Sequence, residues 1–108
     1  MSQELITALT EIKQLFATPA SWTQGSFARN ASGETVLLTS PRATCFCLRG
    51  AVARLQEKDF SNIRVKTTFA LKAELPDGFS TLVQFNDLKG YEDVVALIDR
   101  ALTTASAS

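Results

Sequence analysis

The chain contains no histidine. That absence removes Ser-His-Asp and Cys-His catalysis, and every histidine-containing metal site, from what these residues can build among themselves. No Gly-x-x-x-x-Gly-Lys or Gly-x-Gly-x-x-Gly phrase occurs, so two familiar phosphate-cradling loops are missing as well. Only two cysteines are present, and two thiolates leave a tetrahedral metal site half filled. No metal or other cofactor is expected. No apolar run approaches the ~18 residues of a membrane-spanning helix. The opening Met1-Ser-Gln-Glu-Leu5 lacks a basic stretch followed by an apolar block. A cytoplasmic protein with no membrane partner is expected. Net charge is also missing, because 11 basic residues balance 11 acidic ones. A neutral chain gives little support to nucleic-acid binding.

The composition that remains is that of a globule: 45% of the 108 residues are hydrophobic and 20% charged. This length allows one domain with one core of modest stability. The expected domain covers residues 1–104, with 105–108 as a flexible tail. Charge is unevenly placed. Residues 42–72 carry Arg42, Arg49, Arg54, Lys58, Arg64, Lys66 and Lys72 against Glu57 and Asp59. Residues 73–108 carry Glu74, Asp77, Asp87, Glu92, Asp93 and Asp99 against Lys89 and Arg100. The two halves are expected to neutralise each other across the surface, or else to leave a basic patch.

Periodicity predicts the following elements. Residues 3–17 read as a helix with Leu5, Leu9, Ile12 and Phe16 on one face, capped by Ser2 and ended before Pro19. Residues 21–38 read as a β-hairpin turning at Asn30-Ala-Ser-Gly33, with Gly25 marking a bulge or close approach. Ser40-Pro41 reads as the cap and first residue of a central helix running to about Glu57. On its wheel Cys45, Cys47, Leu48, Ala51, Val52 and Leu55 face one way, and Arg42 and Arg49 the other. The small Gly50 and Ala51 would let another backbone approach. Lys58–Asn62 is a connector, with Ser61 or Asn62 as a cap. Residues 63–75 alternate like a strand but contain strong helix formers, and periodicity leaves both readings open. Phe79–Phe85 reads as a third strand. Tyr91–Thr103 reads as a last helix with Tyr91, Val94, Val95, Ile98, Ala101 and Leu102 inward.

Four phrases stand in order: Trp22-Thr-Gln-Gly25, Cys45-Phe-Cys47 with Gly50-Ala51, Phe85-Asn-Asp87, and Asp93-Val-Val-Ala-Leu-Ile-Asp-Arg-Ala101. Together they make the chain resemble a family of small bacterial and phage proteins known as a domain of unknown function. Phe46 stands where that family usually has tryptophan, and Gly90-Tyr91 where a threonine cap is common. The resemblance implies a helix over residues 62–75 and transfers no catalytic residue. The fold expected is α+β: helix, hairpin, central helix, helix, third strand and C-terminal helix, with a small sheet packed on helices.

Three candidate sites follow. Phe46 falls on the polar arc of the central helix beside Arg42 and Arg49. Either a neighbouring segment such as the Trp22 hairpin covers it, or it is an exposed aromatic anchor for a partner. Trp22, Gln24, Arg29, Asn86 and Asp87, with Tyr91 nearby, could gather at one end of the sheet. They would form either ordinary turn chemistry or a small-ligand pocket with Asp87 as acid or base. Cys45, near a helix start, is a buried small hydrophobe or a reactive thiol. On a helix Cys45 and Cys47 diverge too far to bridge. The function expected is a non-catalytic protein-binding or regulatory module with a protein partner or a second copy of itself, in the setting of a phage or mobile-element accessory protein. The alternative is a small-ligand binder or histidine-free enzyme.

Overall fold

Five helices and one two-stranded sheet make up the computed structural model, which describes residues 3–56 and 62–107. The expected Ser2 cap, the end of the central helix at Glu57 and the connector 58–61 lie outside the described residues. Helix α1 (Gln3–Leu15) buries Ala8, Leu9 and Ile12, and Phe16 immediately after it is also buried. This is the predicted face. Helix α5 (Tyr91–Ala107) buries Val94, Leu97, Ile98, Ala101 and Ala105, and it is the main packing partner of α1. It runs past the expected end at Thr103. A radius of gyration of 13.2 Å is about that of a folded single domain of this length.

The hairpin and the central stretch fold together, and here the structure departs from expectation. The Asn30–Gly33 turn forms as read. Asn30 Oδ1 accepts the backbone N–H groups of Ser32 and Glu34, and Gly33 takes a left-handed φ of 84°. The main strand partner is not the second arm. Strand β1 (Ala28–Arg29) pairs antiparallel with β2 (Cys45–Phe46), with Ala28 opposite Phe46 and Arg29 opposite Cys45. The second arm adds only an isolated bridge, Arg29 to Thr35.

The central helix is therefore shorter than predicted: α2 spans Leu48–Ala53, with Cys47 at its N-cap. Thr44 to Cys47 are β-branched, aromatic or thiol residues with poor helix propensity. Their backbone groups find sheet-like partners instead, through Thr44 N–H to Arg29 O at 2.9 Å, Thr23 N–H to Phe46 O at 3.0 Å and Cys47 N–H to Phe27 O at 3.3 Å. Ser40 does use its side chain as a cap would, accepting from Arg42 N–H at 3.1 Å, but that bond closes a turn.

Residues 63–75 resolve to helix α3 (Ile63–Lys72), burying Ile63, Thr67 and Leu71. Asn62 holds the N-cap position in a left-handed conformation, and its side chain makes no capping bond. The expected third strand over 79–85 is overturned. Helix α4 (Leu82–Leu88) occupies most of it and buries Leu82, Phe85 and Asn86. Thr81 Oγ1 accepts from Gln84 N–H at 3.0 Å, and Gln84 Oε1 accepts from Ser80 N–H at 2.9 Å. This is close to a capping box. The Thr-x-x-Gln spacing was readable in the sequence, and it outweighs the alternation of Phe79, Val83 and Phe85.

Candidate functional site

The residues expected to gather around Asn86 do so, by way of a loop and α4 instead of a shared sheet. Asn86 lies on the inner face of α4 with no solvent exposure. Its Oδ1 accepts from Trp22 Nε1–H at 2.7 Å and from Leu48 N–H at 2.9 Å. Its Nδ2 donates to Thr23 O at 2.9 Å and Asp87 Oδ1 at 3.2 Å. Two donors at one end and two acceptors at the other fill the whole capacity of the amide. Gln24 Nε2 lies 2.8–3.2 Å from the carbonyl oxygens of Asn86, Asp87 and Lys89, closing the C-terminal end of α4. Asp87 Oδ1 also accepts from Gly25 N–H at 3.0 Å. Arg29 donates to Gly33 O and to Gln24 O. Tyr91 packs edge-on against Trp22, with centroids 6.2 Å apart, and its hydroxyl donates to Phe16 O at the end of α1.

All five predicted ligand-binding residues thus belong to one network. It joins the Trp22 loop, the start of α2 and α4, and Tyr91 extends it to α1. The Asn86 amide, the Gln24 Nε2 group and Asp87 Oδ1 are all engaged within it, and the clefts lined by α1, α2, α3 and the start of α4 do not include these residues. Three of the four phrases that carry the family resemblance meet in this clasp.

The partner-binding trio separates. Phe46 is only 4% exposed. It bridges the Trp22 segment, and the Arg54 guanidinium lies 4.5 Å from its ring centroid. The exposed-anchor reading of Phe46 is overturned, because strand geometry points the ring into the core where a helix would have pointed it outward. Arg42 is exposed in the loop before β2. Arg49, on α2, is half-buried and lines a trough described below.

Both cysteines are free. The helical divergence expected of them does not apply, since Cys45 lies in a strand. Cys45 is half-buried, and its thiol lies 3.8 Å from Arg29 O. Cys47, not Cys45, sits at the helix start, where its Sγ accepts from Gly50 N–H at 3.2 Å. Burial pushes the Cys47 thiol pKa above its ordinary value, with the backbone N–H groups of Gly50 and Arg49 acting in the opposite direction. Desolvation thus wins over the helix N-terminus, and Cys47 is held as a neutral thiol. Among the described residues no group of three or more metal-ligating side chains is close enough to hold an ion. No helix among them is long and apolar enough to cross a membrane.

A surface that the sequence did not single out lies on the outside of α3. Ile63, Thr67 and Leu71 face the core. Val65 and Phe69 lie roughly 200° around the helix from them, and are 53% and 66% exposed. The strand-like alternation of residues 63–71 is therefore the trace of a helix with two apolar stripes on opposite sides. The outer stripe borders a trough whose walls include Arg49 and Ala53 of α2 and Arg64, Thr68 and Lys72 of α3. The trough continues past Arg49, Thr68 and Lys72 to Thr81 and Val83 at the start of α4. Arg64 is anchored by donating Nε–H to Leu55 O at 2.7 Å.

No curated protein and no solved structure matches the chain. A family model does match, over residues 1–104, nearly the full length, and so covers all four phrases and both surfaces described above: the chain belongs to DUF6197, a family of unknown function.

Proposed function

We propose that this domain is a non-catalytic protein-binding or regulatory module whose recognition surface is the outer face of α3. One observation carries the reading. α3 presents a second apolar stripe, Val65 and Phe69, that no described element covers, beside a trough bordered by Arg49, Arg64 and Lys72. Exposed aromatics beside arginine are the residue types that dominate binding energy at interfaces. Support for a module rather than an enzyme comes from the Trp22–Asn86 clasp. Its central amide, Asn86, spends its hydrogen bonds on holding segments of the fold together. Two free thiols fit a reducing compartment such as the cytoplasm.

The test compares capture from a host lysate by immobilised wild-type domain, Phe69→Ser and Leu37→Ser. Leu37 is 78% exposed and is not part of the trough lining, so it serves as the control. A protein retained by wild type and by Leu37→Ser but lost by Phe69→Ser supports the reading. Equal retention by all three, or none by any, counts against it. A thermal shift of the wild-type domain with a nucleotide or metabolite would favour the small-ligand alternative.

A further inference from the structure

The outer face of α3 also carries information about what it binds. We infer that its occupant is a short, acidic, amphipathic helix of another protein, a statement that rests on the protein-binding reading above. The trough has cations on its walls and no carboxylate among its described lining residues. Arg49 and Lys72 border both of its stretches, and neither has an ion-pair partner among the described residues. A basic rim around an apolar floor is complementary to carboxylates flanking apolar side chains.

Three other occupants fit less well. A second copy docking through the same face would place Arg49 and Lys72 of one chain against those of the other, a like-charge juxtaposition that disfavours self-pairing. A single-stranded nucleic acid is held by stacking on successive aromatics along a basic groove. Among the described lining residues Phe69 is the only aromatic side chain. A peptide that binds by adding a strand needs a free sheet edge, and the strands among the described residues are only two residues long. A helix is the shape that the ridge on α3 fits best. Val65, Thr68, Phe69 and Lys72 stand at i, i+3, i+4 and i+7, the spacing of a ridge that another helix can straddle. The stripe from Val65 to Lys72 is about 10 Å long, so two to three turns of partner, roughly 8–11 residues, would cover it.

The experiment is selection of displayed random peptides of about 16 residues, or some four helical turns, on wild-type domain. Binders of Phe69→Ser are removed first. Both Phe69 and Lys72 are exposed, so their variants should fold, which far-UV circular dichroism checks. The expected result is a Phe69-dependent set of net-acidic sequences with apolar residues at i, i+3 or i+4, and i+7. One selected peptide, synthesised with a fluorophore, should lose roughly tenfold or more in affinity to Phe69→Ser. It should bind Lys72→Glu more weakly, and the difference should shrink as salt rises.

Enrichment of neutral or basic sequences, or of none, overturns the acidic-helix inference. In that case Phe69-dependent capture from lysate would still stand for the docking surface, and loss of both would remove the docking reading as well. Phe69-dependent binding of oligothymidylate reassigns the trough to nucleic acid. A Phe69-dependent dimer in native mass spectrometry reassigns it to a second copy.

Discussion

The side-chain carbonyl of Asn86 accepts the indole N–H of Trp22 at 2.7 Å, across 64 positions of chain. The same oxygen accepts the N–H of Leu48 at the start of α2, so one buried amide sets the relative position of three segments. Asn86→Ala leaves the Leu48 N–H and the Thr23 carbonyl without their partner, at about 1–3 kcal/mol for each group that stays buried. Against the ~5–15 kcal/mol stability of a small domain, the expected loss is severe. Urea denaturation followed by Trp22 fluorescence measures it. An unchanged midpoint would mean that the clasp does not hold the fold.

Gly50 tests the crossing of α2 with the Phe27 backbone. A Cβ added there would lie 2.3 Å from Phe27 O, which is backbone and also accepts from Cys47 N–H. Gly→Ala inside a helix ordinarily gains about 1 kcal/mol. Here overpacking, at about 1–3 kcal/mol or more, reverses the sign. Gly50→Ala should lower the denaturation midpoint, and a raised midpoint would show that the crossing relaxes.

Phe46 and Phe69 should behave as opposites. Phe46→Ala empties a core position and should cost about 3–5 kcal/mol. Phe69→Ala removes an exposed ring and should change stability by less than about 0.5 kcal/mol. Parallel thermal melts decide it, and comparable losses from the two variants would contradict the assignment of the faces.

Thr67 is fully buried on the inner stripe of α3, and its hydroxyl finds no hydrogen-bond partner among the described residues. Thr67→Val keeps the β-branched shape and removes the unsatisfied group. It should stabilise the domain by about 1–2 kcal/mol. A destabilised variant in the same urea assay would mean that the hydroxyl is bonded in solution.

Cys47 predicts a pH dependence. Its thiol pKa is raised by burial above the ordinary 9.0, so the unfolded chain loses that proton first. Stability from this group is therefore complete below pH 9 and declines as pH rises from there towards the folded-state value. Cys47→Ser should remove that part of the alkaline slope, and an identical slope in the two proteins would exclude the effect. In native protein, iodoacetamide should label Cys45 before Cys47, with mass spectrometry reading the order.

Helices α1 and α5 were legible because each buries one face at a regular helical spacing, and the Asn30–Gly33 turn because its residues satisfy their own backbone. The clasp was half legible. The sequence brings Trp22, Gln24, Arg29, Asn86 and Asp87 together as candidates, but not the fact that Asn86 uses all of its hydrogen-bonding capacity internally. The start of α2 was misplaced because Ser40-Pro41 is good cap chemistry in isolation. α4 was misread because alternation over seven residues fits a strand as well as it fits one face of a short helix.

What the sequence alone determined is local or compositional: the absence of histidine chemistry, the α+β class, the two long amphipathic helices and membership of an uncharacterised family. Tertiary structure decided everything that depends on where a backbone finds its partner. Cys45–Phe46 became a strand because Arg29 and Phe27 supply hydrogen-bonding groups that a local pattern cannot reveal, and that pairing turned Phe46 inward. Residues 63–72 became a helix with two apolar stripes, and only packing against α1, α2 and α5 selects which stripe is core. The stripe left outside, Val65 and Phe69, is visible as a surface only once the other is buried.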